Sequence, residues 1–247
     1  MSKIILVGCG FLGSHIAEEL GKFFFSQEIF NIQMVFIDFD KWEERNAANQ
    51  HVDLETAKSG EYKSITCKKY FDRYSDRKDA VAITEKLTPE NARQLLEGSD
   101  LVIDAVDNIP TRQLIAVFGK NAISGPVMHV GISRKGEGMI NWSSDIFDTF
   151  PFPVETTAGR EMVEQDIKEP PCEMYKYRTS GLSLVQAVAK CTAFYYGKDP
   201  WQALDGGVTK GLMTSWSTST NRSSMLIDKP YLVNDDLPCK EFGEKNE

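Results

Sequence analysis

The sequence predicts an α/β protein with a Rossmann-like, doubly wound and mostly parallel sheet, extended by antiparallel strands and covered by helices on both faces. Three observations support this fold class. Short apolar runs alternate with amphipathic stretches over the first 142 residues. A glycine-rich loop connects the first strand to the first helix, and an acidic residue ends the second strand. Such an arrangement is typical of proteins that bind nucleotides.

The predicted elements follow one another in a regular order. A buried strand at 4–7 leads into a helix at 11–24, and a strand at 34–37 ends before Asp38. A helix that Thr88 caps ends at Gly98. The other predicted elements are a weaker strand at 80–84, strands at 101–105, 127–132 and 139–142, helices at 110–118 and 183–196, and a hairpin within 208–228.

The domain organisation follows from where this alternation stops. Residues 1–142 are predicted to form the nucleotide-binding half. The segment 143–177 has four prolines and many charges, and it predicts a crossing loop that is either a lid or a plain connector. Residues 178–247 are expected to complete the same domain with a helix and strands.

Composition excludes several classes of function. The 247 residues carry a formal net charge of -8, which argues against a binder of nucleic acid or of anionic membranes. No apolar run approaches the ~20 residues of a membrane span, and no signal peptide pattern is seen. The five cysteines are dispersed without a C-x-x-C pair. We therefore expect reduced thiols, a cytoplasmic location and no structural zinc.

The glycine loop is the first motif that carries chemistry. Its residues are Gly8, Cys9, Gly10, Phe11, Leu12 and Gly13. Gly8 permits the tight turn, Gly10 lets a phosphate approach the backbone, and Gly13 lets the helix pack on the strand. The helix that follows offers unpaired N–H groups and a positive dipole end to an anion. The alternative is a glycine-rich turn without a ligand.

Asp38 is the second candidate. It follows Gly13 by 25 residues, near the ~20 expected for an acid that accepts hydrogen bonds from ribose hydroxyls. The loop and Asp38 alone are as compatible with NAD as with ATP.

Four ordered motifs carry a more specific signal. They are Asp38-Phe39-Asp40-Lys41-Trp42-Glu43-Glu44-Arg45-Asn46-Ala47-Ala48-Asn49-Gln50, Gly60-Glu61-Tyr62-Lys63, Asp104-Ala105-Val106-Asp107-Asn108-Ile109-Pro110-Thr111-Arg112 and Ser183-Leu184-Val185-Gln186-Ala187. The chain thereby resembles the E1-like superfamily of ThiF, MoeB and ubiquitin-activating enzymes. The family patterns are D-x-D-x-V-E-x-x-N-L-x-R-Q, G-x-x-K, D-a-t-D-N-x-x-x-R and s-l-Q-A. The resemblance spans about residues 3–197.

The resemblance implies an ATP-dependent adenylyltransferase. Such enzymes condense ATP with the C-terminal carboxylate of a ubiquitin-like or sulfur-carrier protein, giving an acyl adenylate and pyrophosphate. It implies that Asp38 holds the ribose and that Asn46, Lys63 and the loop amides contact the phosphates. The resemblance also implies that Asp107 holds Mg²⁺ or orients the reacting centre. Asp40, Asn49 and Gln50 complete the implied nucleotide site, and a homodimer is implied as well.

Two departures from the family pattern bear on activity. Asn49 stands where the family has an arginine, which removes a cation expected near the β- and γ-phosphates. Arg45 and Arg112 are the nearby candidates to supply charge. Cys172 lies where some relatives keep a thioester or persulfide nucleophile, and the alternative is a leftover or merely exposed thiol. The three histidines show no metal-ligand spacing, and His129 is expected in the core.

The leading hypothesis is therefore an E1-like adenylyltransferase that acts on a protein or peptide C-terminus. One alternative is an E1-like module with impaired catalysis that binds nucleotide and recruits a partner, for which Asn49 is the support. The other is an NAD-dependent oxidoreductase, which would leave Asn46, Gln50, Lys63 and Asp107 unexplained.

Overall fold

The sheet contains seven strands within the part of the chain that the structure describes. This computed structural model describes residues 2–26, 31–48, 50–74, 80–121, 125, 127–132, 137–141, 182, 184–186, 188–189, 192 and 213–217. The strands are β1 (Ser2–Val7), β2 (Ile32–Ile37), β3 (Val81–Ile83), β4 (Leu101–Asp104), β5 (Val127–Ile132), β6 (Glu137–Asn141) and β7 (Met213–Ser217).

The strand order confirms the predicted fold class. The sheet runs β3-β2-β1-β4-β5-β6-β7. The first five strands in this order pair in parallel, whereas β6 pairs antiparallel with both β5 and β7. The antiparallel strands therefore extend a parallel Rossmann-like sheet at one edge.

Between β1 and β5, five α-helices and a 3-10 helix connect the strands in the described ranges. They are α1 (Phe11–Ser26), α2 (Leu54–Ser59), α3 (Lys63–Asp72), α4 (Ala92–Leu96), α5 (Ile109–Asn121) and the 3-10 helix Glu44–Ala48. Among the described helices there is none with the length and apolar character needed to cross a membrane.

The helices cover both faces of the sheet because successive strand residues point to opposite sides. In β1, Ile4 and Leu6 belong to one core cluster, which they share with residues of α1 and α3. Ile5 and Val7 belong to a second cluster with residues of α4 and α5. All four β1 side chains are at most 3% exposed, as expected of a central strand covered on both faces.

The described residues near the C-terminal end join the same architecture. Those that fall within the predicted helix 183–196 are helical, and Leu184, Val185 and Val188 lie in the core cluster with α1 and α3. β7 falls inside the predicted hairpin region 208–228. The crossing loop 143–177 lies outside the described residues, so the proposed domain limits stay a prediction.

Several local predictions need correction. The helix predicted to begin after Thr88 begins at Ala92 instead, because the Asn91 side chain accepts a hydrogen bond from the Thr88 backbone N–H and closes a turn ahead of it. Gly98 follows its end with φ +71°, as a helix-ending glycine should. The 3-10 helix, α2 and α3 were not predicted.

The sheet order creates a crevice above the carboxyl ends of β1 and β4. The connection from β1 through α1 leads to β2 on one side, whereas β4 lies on the other side of β1. Open α/β sheets bind ligands at such a topological switch point. The glycine loop follows β1 and the Asp107 loop follows β4, so both border this crevice.

The structure confirms the packing roles predicted for two loop glycines. Gly8 has φ +89°, and a Cβ there would lie 2.8 Å from the Ala105 carbonyl. A Cβ on Gly13 would lie 1.9 Å from the Gly8 carbonyl oxygen. The first turn of α1 therefore rests directly on the backbone of the loop, and the loop rests on the residues that follow β4.

We expect Gly13→Ala to destabilise the fold by about 3 kcal/mol or more, because the new methyl group overlaps backbone that cannot move aside. Gly10→Ala is the matched control. A Cβ on Gly10 would meet only the Gln50 Oε1 atom, at 3.9 Å. Chemical denaturation should therefore separate the two variants, and equal stability would contradict this packing argument.

Candidate functional site

The glycine loop is fixed by the acid at the end of β2. The Cys9 N–H donates to Asp38 Oδ2 at 2.6 Å, and the Asp40 N–H donates to Asp38 Oδ1 at 2.8 Å. Burial raises the pKa of Asp38 above its ordinary value, and these two hydrogen bonds only partly oppose the effect. Each carboxylate oxygen keeps a second lone pair, so Asp38 can still accept hydrogen bonds from ligand hydroxyls.

A short antiparallel contact brings Lys63 to the same edge of the sheet. The Trp42 N–H donates to the Glu61 carbonyl, and the Lys63 N–H donates to the Asp40 carbonyl at 2.9 Å. The Lys63 ammonium lies 3.2 Å from Asp40 Oδ2 and 5.6 Å from the centre of the Trp42 ring. Trp42 is 2% exposed and donates to Thr66, which fixes the first turn of α3. The Lys63 side chain is therefore held beside Asp40, and only 12% of it is exposed.

The segment after β2 returns to the glycine loop. Asn46 accepts a hydrogen bond from the Glu43 N–H and thereby caps the 3-10 helix. Gln50, four positions later, has the atom nearest to the open side of Gly10. Asn49 lies outside the described residues.

Asp107 stands in the loop that follows β4 and is exposed. No described residue forms a hydrogen bond or an ion pair with its carboxylate. An exposed carboxylate at the carboxyl end of a parallel strand is available to a ligand or to a hydrated cation.

A buried network that the sequence did not reveal supports the Asp107 loop. Asp104 Oδ2 lies 2.6 Å from His129 Nδ1 and 3.3 Å from Arg112 Nη1, while Asp104 Oδ1 accepts from the Val106 N–H. Arg112 also donates to the Val106 and Val130 carbonyls. Asp104 and His129 are fully buried and Arg112 is 7% exposed.

The charge state of this network follows from its contacts. Burial alone would raise the pKa of Asp104, but the charge of Arg112 and the hydrogen bond of His129 lower it below its ordinary value. Asp104 is therefore a carboxylate, and His129 Nδ1 donates to it. The expected core position of His129 is confirmed, although its Nε2 atom is buried without a partner among the described residues.

The structure excludes both arginines that were candidates to replace the missing family cation. Arg45 is two-thirds exposed and pairs with Glu43. The guanidinium of Arg112 is buried beneath the Asp107 loop, where Asp104 neutralises it. Neither arginine is therefore a free cation at the crevice.

Two further expectations concern the Cys172 thiol and a bound metal ion. Cys172 lies outside the described residues, so its role stays a prediction. Within the described ranges there is no cluster of three or more His, Cys, Asp or Glu side chains that would hold a metal by itself. A magnesium ion bound by one carboxylate and by phosphates of a substrate needs no such cluster.

Together these features define a Rossmann-like protein whose glycine loop is hydrogen-bonded to the acid after β2 and packs against the residues after β4. The chain belongs to the ThiF family, whose sequence profile matches residues 1–147.

Curated relatives agree with this assignment. The chain is 30% identical over 114 residues to "Adenylyltransferase and sulfurtransferase MOCS3" of Sus scrofa, which covers 46% of this chain and 24% of the relative. It is 29% identical over 130 residues to "Sulfur carrier protein adenylyltransferase" of Thermus thermophilus, covering 51% and 45%. The aligned region thus spans about a quarter to half of these relatives.

Solved structures share the fold at low sequence identity. Escherichia coli MccB in complex with N-formylated MccA superposes with a TM-score of 0.68 at 12% identity, covering 93% of this chain and 64% of MccB. PaaA superposes with a TM-score of 0.62 at 17% identity, covering 92% and 73%.

Proposed function

We propose that this protein uses ATP to adenylate the C-terminal carboxylate of a ubiquitin-like or sulfur-carrier protein or of a peptide. One observation carries the proposal: the glycine loop is hydrogen-bonded to Asp38, Lys63 is held beside Asp40 two residues further on, and Gly8 packs against the residues that lead to Asp107. Family membership supports the reaction class. The names of the relatives, which include a sulfur carrier protein adenylyltransferase, support a carrier as substrate.

In the proposed reaction, a carboxylate oxygen attacks the α-phosphorus of ATP. The bond from the α-phosphorus to the bridging oxygen breaks, and pyrophosphate leaves with the electron pair. Negative charge grows on the phosphoryl oxygens during this step. Fixed donors and cations that are already in place stabilise that charge without reorganising, and correct positioning removes entropy from the barrier.

The residues of this chain would have separate roles in this reaction. The open side of Gly10 and the first amides of α1 suit the phosphates, while Asp38 suits the ribose hydroxyls. Lys63 supplies positive charge, with Asp40 holding its ammonium. Asp107 would hold Mg²⁺, which neutralises phosphate charge when bound. The nearby network of Asp104 and Arg112 fixes the backbone from which Asp107 projects.

ATP–pyrophosphate exchange tests the proposal directly. The protein is incubated with ATP, magnesium, radiolabelled pyrophosphate and a candidate carrier protein, and label in ATP is measured. We expect exchange that depends on the carrier. Tight ATP binding without exchange for any carrier would instead favour the impaired binding module that Asn49 suggests. Tight binding of NAD without ATP binding would overturn the proposal.

Lys63→Ala is expected to slow exchange on the order of 10²-fold, by analogy with the loss of one oxyanion donor. Stability should change little, because the partner Asp40 is half-exposed and can be solvated. Lys58→Ala is the matched control, since Lys58 on α2 forms an exposed ion pair with Glu44 of the 3-10 helix. Near-normal exchange by the Lys63 variant would remove this residue from the site.

A further inference from the structure

The loop that carries Asp107 is held by hydrogen bonds on both sides of that residue. Val106 donates its N–H to Asp104 Oδ1 at 3.1 Å, and its carbonyl accepts from Arg112 Nη2. On the other side, the Asn108 carbonyl accepts from the Arg112 N–H at 3.3 Å. Asp107 is exposed, and its carboxylate forms no hydrogen bond with a described residue. The backbone on either side of Asp107 therefore determines where this carboxylate stands.

Two contacts connect this backbone to β5. His129 Nδ1 donates to Asp104 Oδ2 at 2.6 Å, and the two residues are directly opposite where β4 pairs with β5. Arg112 Nη2 donates to the Val106 carbonyl and also to the Val130 carbonyl of β5, at 2.9 Å. The N–H of Val106 is thereby held through Asp104 and His129, and its carbonyl is held through Arg112. A shift of β5 would reach Val106 at both of its polar groups.

The same backbone packs against the glycine loop. A Cβ on Gly8 would lie 2.8 Å from the Ala105 carbonyl and 2.9 Å from the Val106 nitrogen. The Ala105 N–H donates to the Val7 carbonyl at 2.9 Å. The residues before Asp107 are therefore in contact with the loop that is proposed to bind the phosphates. A displacement of Val106 would change the distance between Asp107 and a nucleotide on that loop.

Stability alone does not account for these three polar side chains. Asp104 ends β4, whose other three residues are apolar and fully buried. Apolar side chains of similar volume in place of a buried ion pair are often neutral or stabilising, because removing charges from water is costly. The network also carries a cost of its own, since Arg112 Nη1 and His129 Nε2 are buried without a hydrogen-bond partner in the described part of the chain. What it provides is directional hydrogen bonds at the edge of the sheet that borders the crevice.

We propose that His129 and Arg112 are positioning residues for the adenylation. They hold Val106 from β5, and they thereby set the place of the Asp107 carboxylate and its affinity for Mg²⁺ when ATP is bound. Groups that orient a metal-binding side chain typically contribute about 10- to 100-fold to metal affinity or activity. The inference rests on the proposed function, because it takes Asp107 to be the carboxylate that holds Mg²⁺.

Hydrogen–deuterium exchange and calorimetry of the full chain test this proposal without relying on turnover. His129→Leu removes the donor to Asp104, so the amides of residues 105–108 should exchange faster while those of β1 and β2 stay protected. The affinity for ATP in the presence of Mg²⁺ should fall about tenfold, whereas the affinity without Mg²⁺ should change by less than about twofold. Carrier-dependent ATP–pyrophosphate exchange should also slow about tenfold.

Conservative variants separate positioning from stability. His129→Asn offers an amide N–H in place of the Nδ1 donor, so it should restore the Mg²⁺-dependent ATP affinity to within about threefold of wild type. Arg112→Lys keeps a charge beside Asp104 but loses the planar group that serves two carbonyls, so it should act like His129→Leu.

Val127→Ala is the matched control. Val127 lies two residues before His129, on the same face of β5, and it is also fully buried, but it is apolar and takes no part in the network. Its truncation should lower stability in thermal unfolding and leave the amides of 105–108 and the Mg²⁺ dependence unchanged. Thermal unfolding also verifies that the other variants are folded.

Other outcomes overturn the inference in distinguishable ways. Faster amide exchange throughout the sheet in His129→Leu and Arg112→Lys would mean that the network only stabilises the fold, and so would unchanged Mg²⁺-dependent ATP affinity in both. Failure of His129→Asn to restore this affinity would exclude the hydrogen bond to Asp104 as the cause. Wild-type ATP binding that does not depend on Mg²⁺ would remove the role assumed for Asp107. If the expected pattern holds but no carrier supports pyrophosphate exchange, the positioning roles stand and the proposed adenylation fails.

Discussion

Asp104→Ala is expected to lower the free energy of unfolding by about 3–5 kcal/mol, the usual cost of removing one partner from a buried ion pair. The substitution leaves the Arg112 guanidinium charged and 7% exposed with no carboxylate beside it. It also removes the acceptor of the Val106 N–H and of His129 Nδ1. Urea unfolding, with the midpoint and slope analysed separately, measures the change.

The same network predicts a pH dependence. The pKa of Asp104 in the folded protein lies below its ordinary value of 3.8. The stabilisation by the Asp104 carboxylate is therefore complete above pH 3.8, and it is lost as the pH falls through the lower pKa of the folded state. Asp104→Asn removes this titration while keeping a hydrogen-bond acceptor. Wild-type stability should therefore fall more steeply below about pH 4 than that of the Asn variant. Parallel curves of stability against pH would mean that an ionised Asp104 does not stabilise the fold through its ion pair with Arg112.

Asp107→Ala is expected to abolish carrier-dependent exchange, a loss on the order of 10²-fold or more, while the fold stays intact. Asp107 is exposed and forms no hydrogen bond with a described residue, so its removal leaves no buried group unpaired. We expect the affected step to be the adenylyl transfer from ATP to the carboxylate, because Asp107 borders the crevice between the glycine loop and the loop after β4.

Two comparisons make the Asp107 result interpretable. Glu97→Ala removes an exposed carboxylate that pairs with Arg93 on α4, and exchange should be unaffected. Asp104→Ala, three residues away, should lose stability as well as activity. A stable Asp107 variant with near-normal exchange would show that the site assignment is wrong.

Much of the fold was readable from the sequence, and the failures have physical causes. The central strands are buried on both faces and are therefore continuous apolar runs. Helix α3 was missed because its buried side includes Ser64, Thr66 and Cys67, which do not produce an apolar helical repeat. The start of α4 was misplaced because Asn91, rather than Thr88, supplies the side chain that closes the preceding turn.

The candidate site was readable only in part. The glycine loop, Asp38, Lys63 and Asp107 carry family spacing, and their joint role in one site stays a prediction. The Asp104–Arg112–His129 network was not foreseen, because it depends on strand register. Asp104 is directly opposite His129 where β4 pairs with β5, although 25 residues separate them in the chain. Asp104 and His129 each stand as a polar residue within an apolar strand pattern, and this was the signal that could have suggested the pair.

The sequence by itself determined the glycine loop and the nature of its surroundings, because turn geometry is a local property. Gly8 needs a positive φ and Gly13 has no room for a side chain, and neither requirement depends on distant residues once β1 enters α1. The tertiary structure decided which charges meet. It buries Arg112 against Asp104, holds Lys63 beside Asp40, and gathers His15, His51 and Arg73 around one cavity. Electrostatic interactions depend on distance in space and on burial, and the order of residues along the chain specifies neither directly.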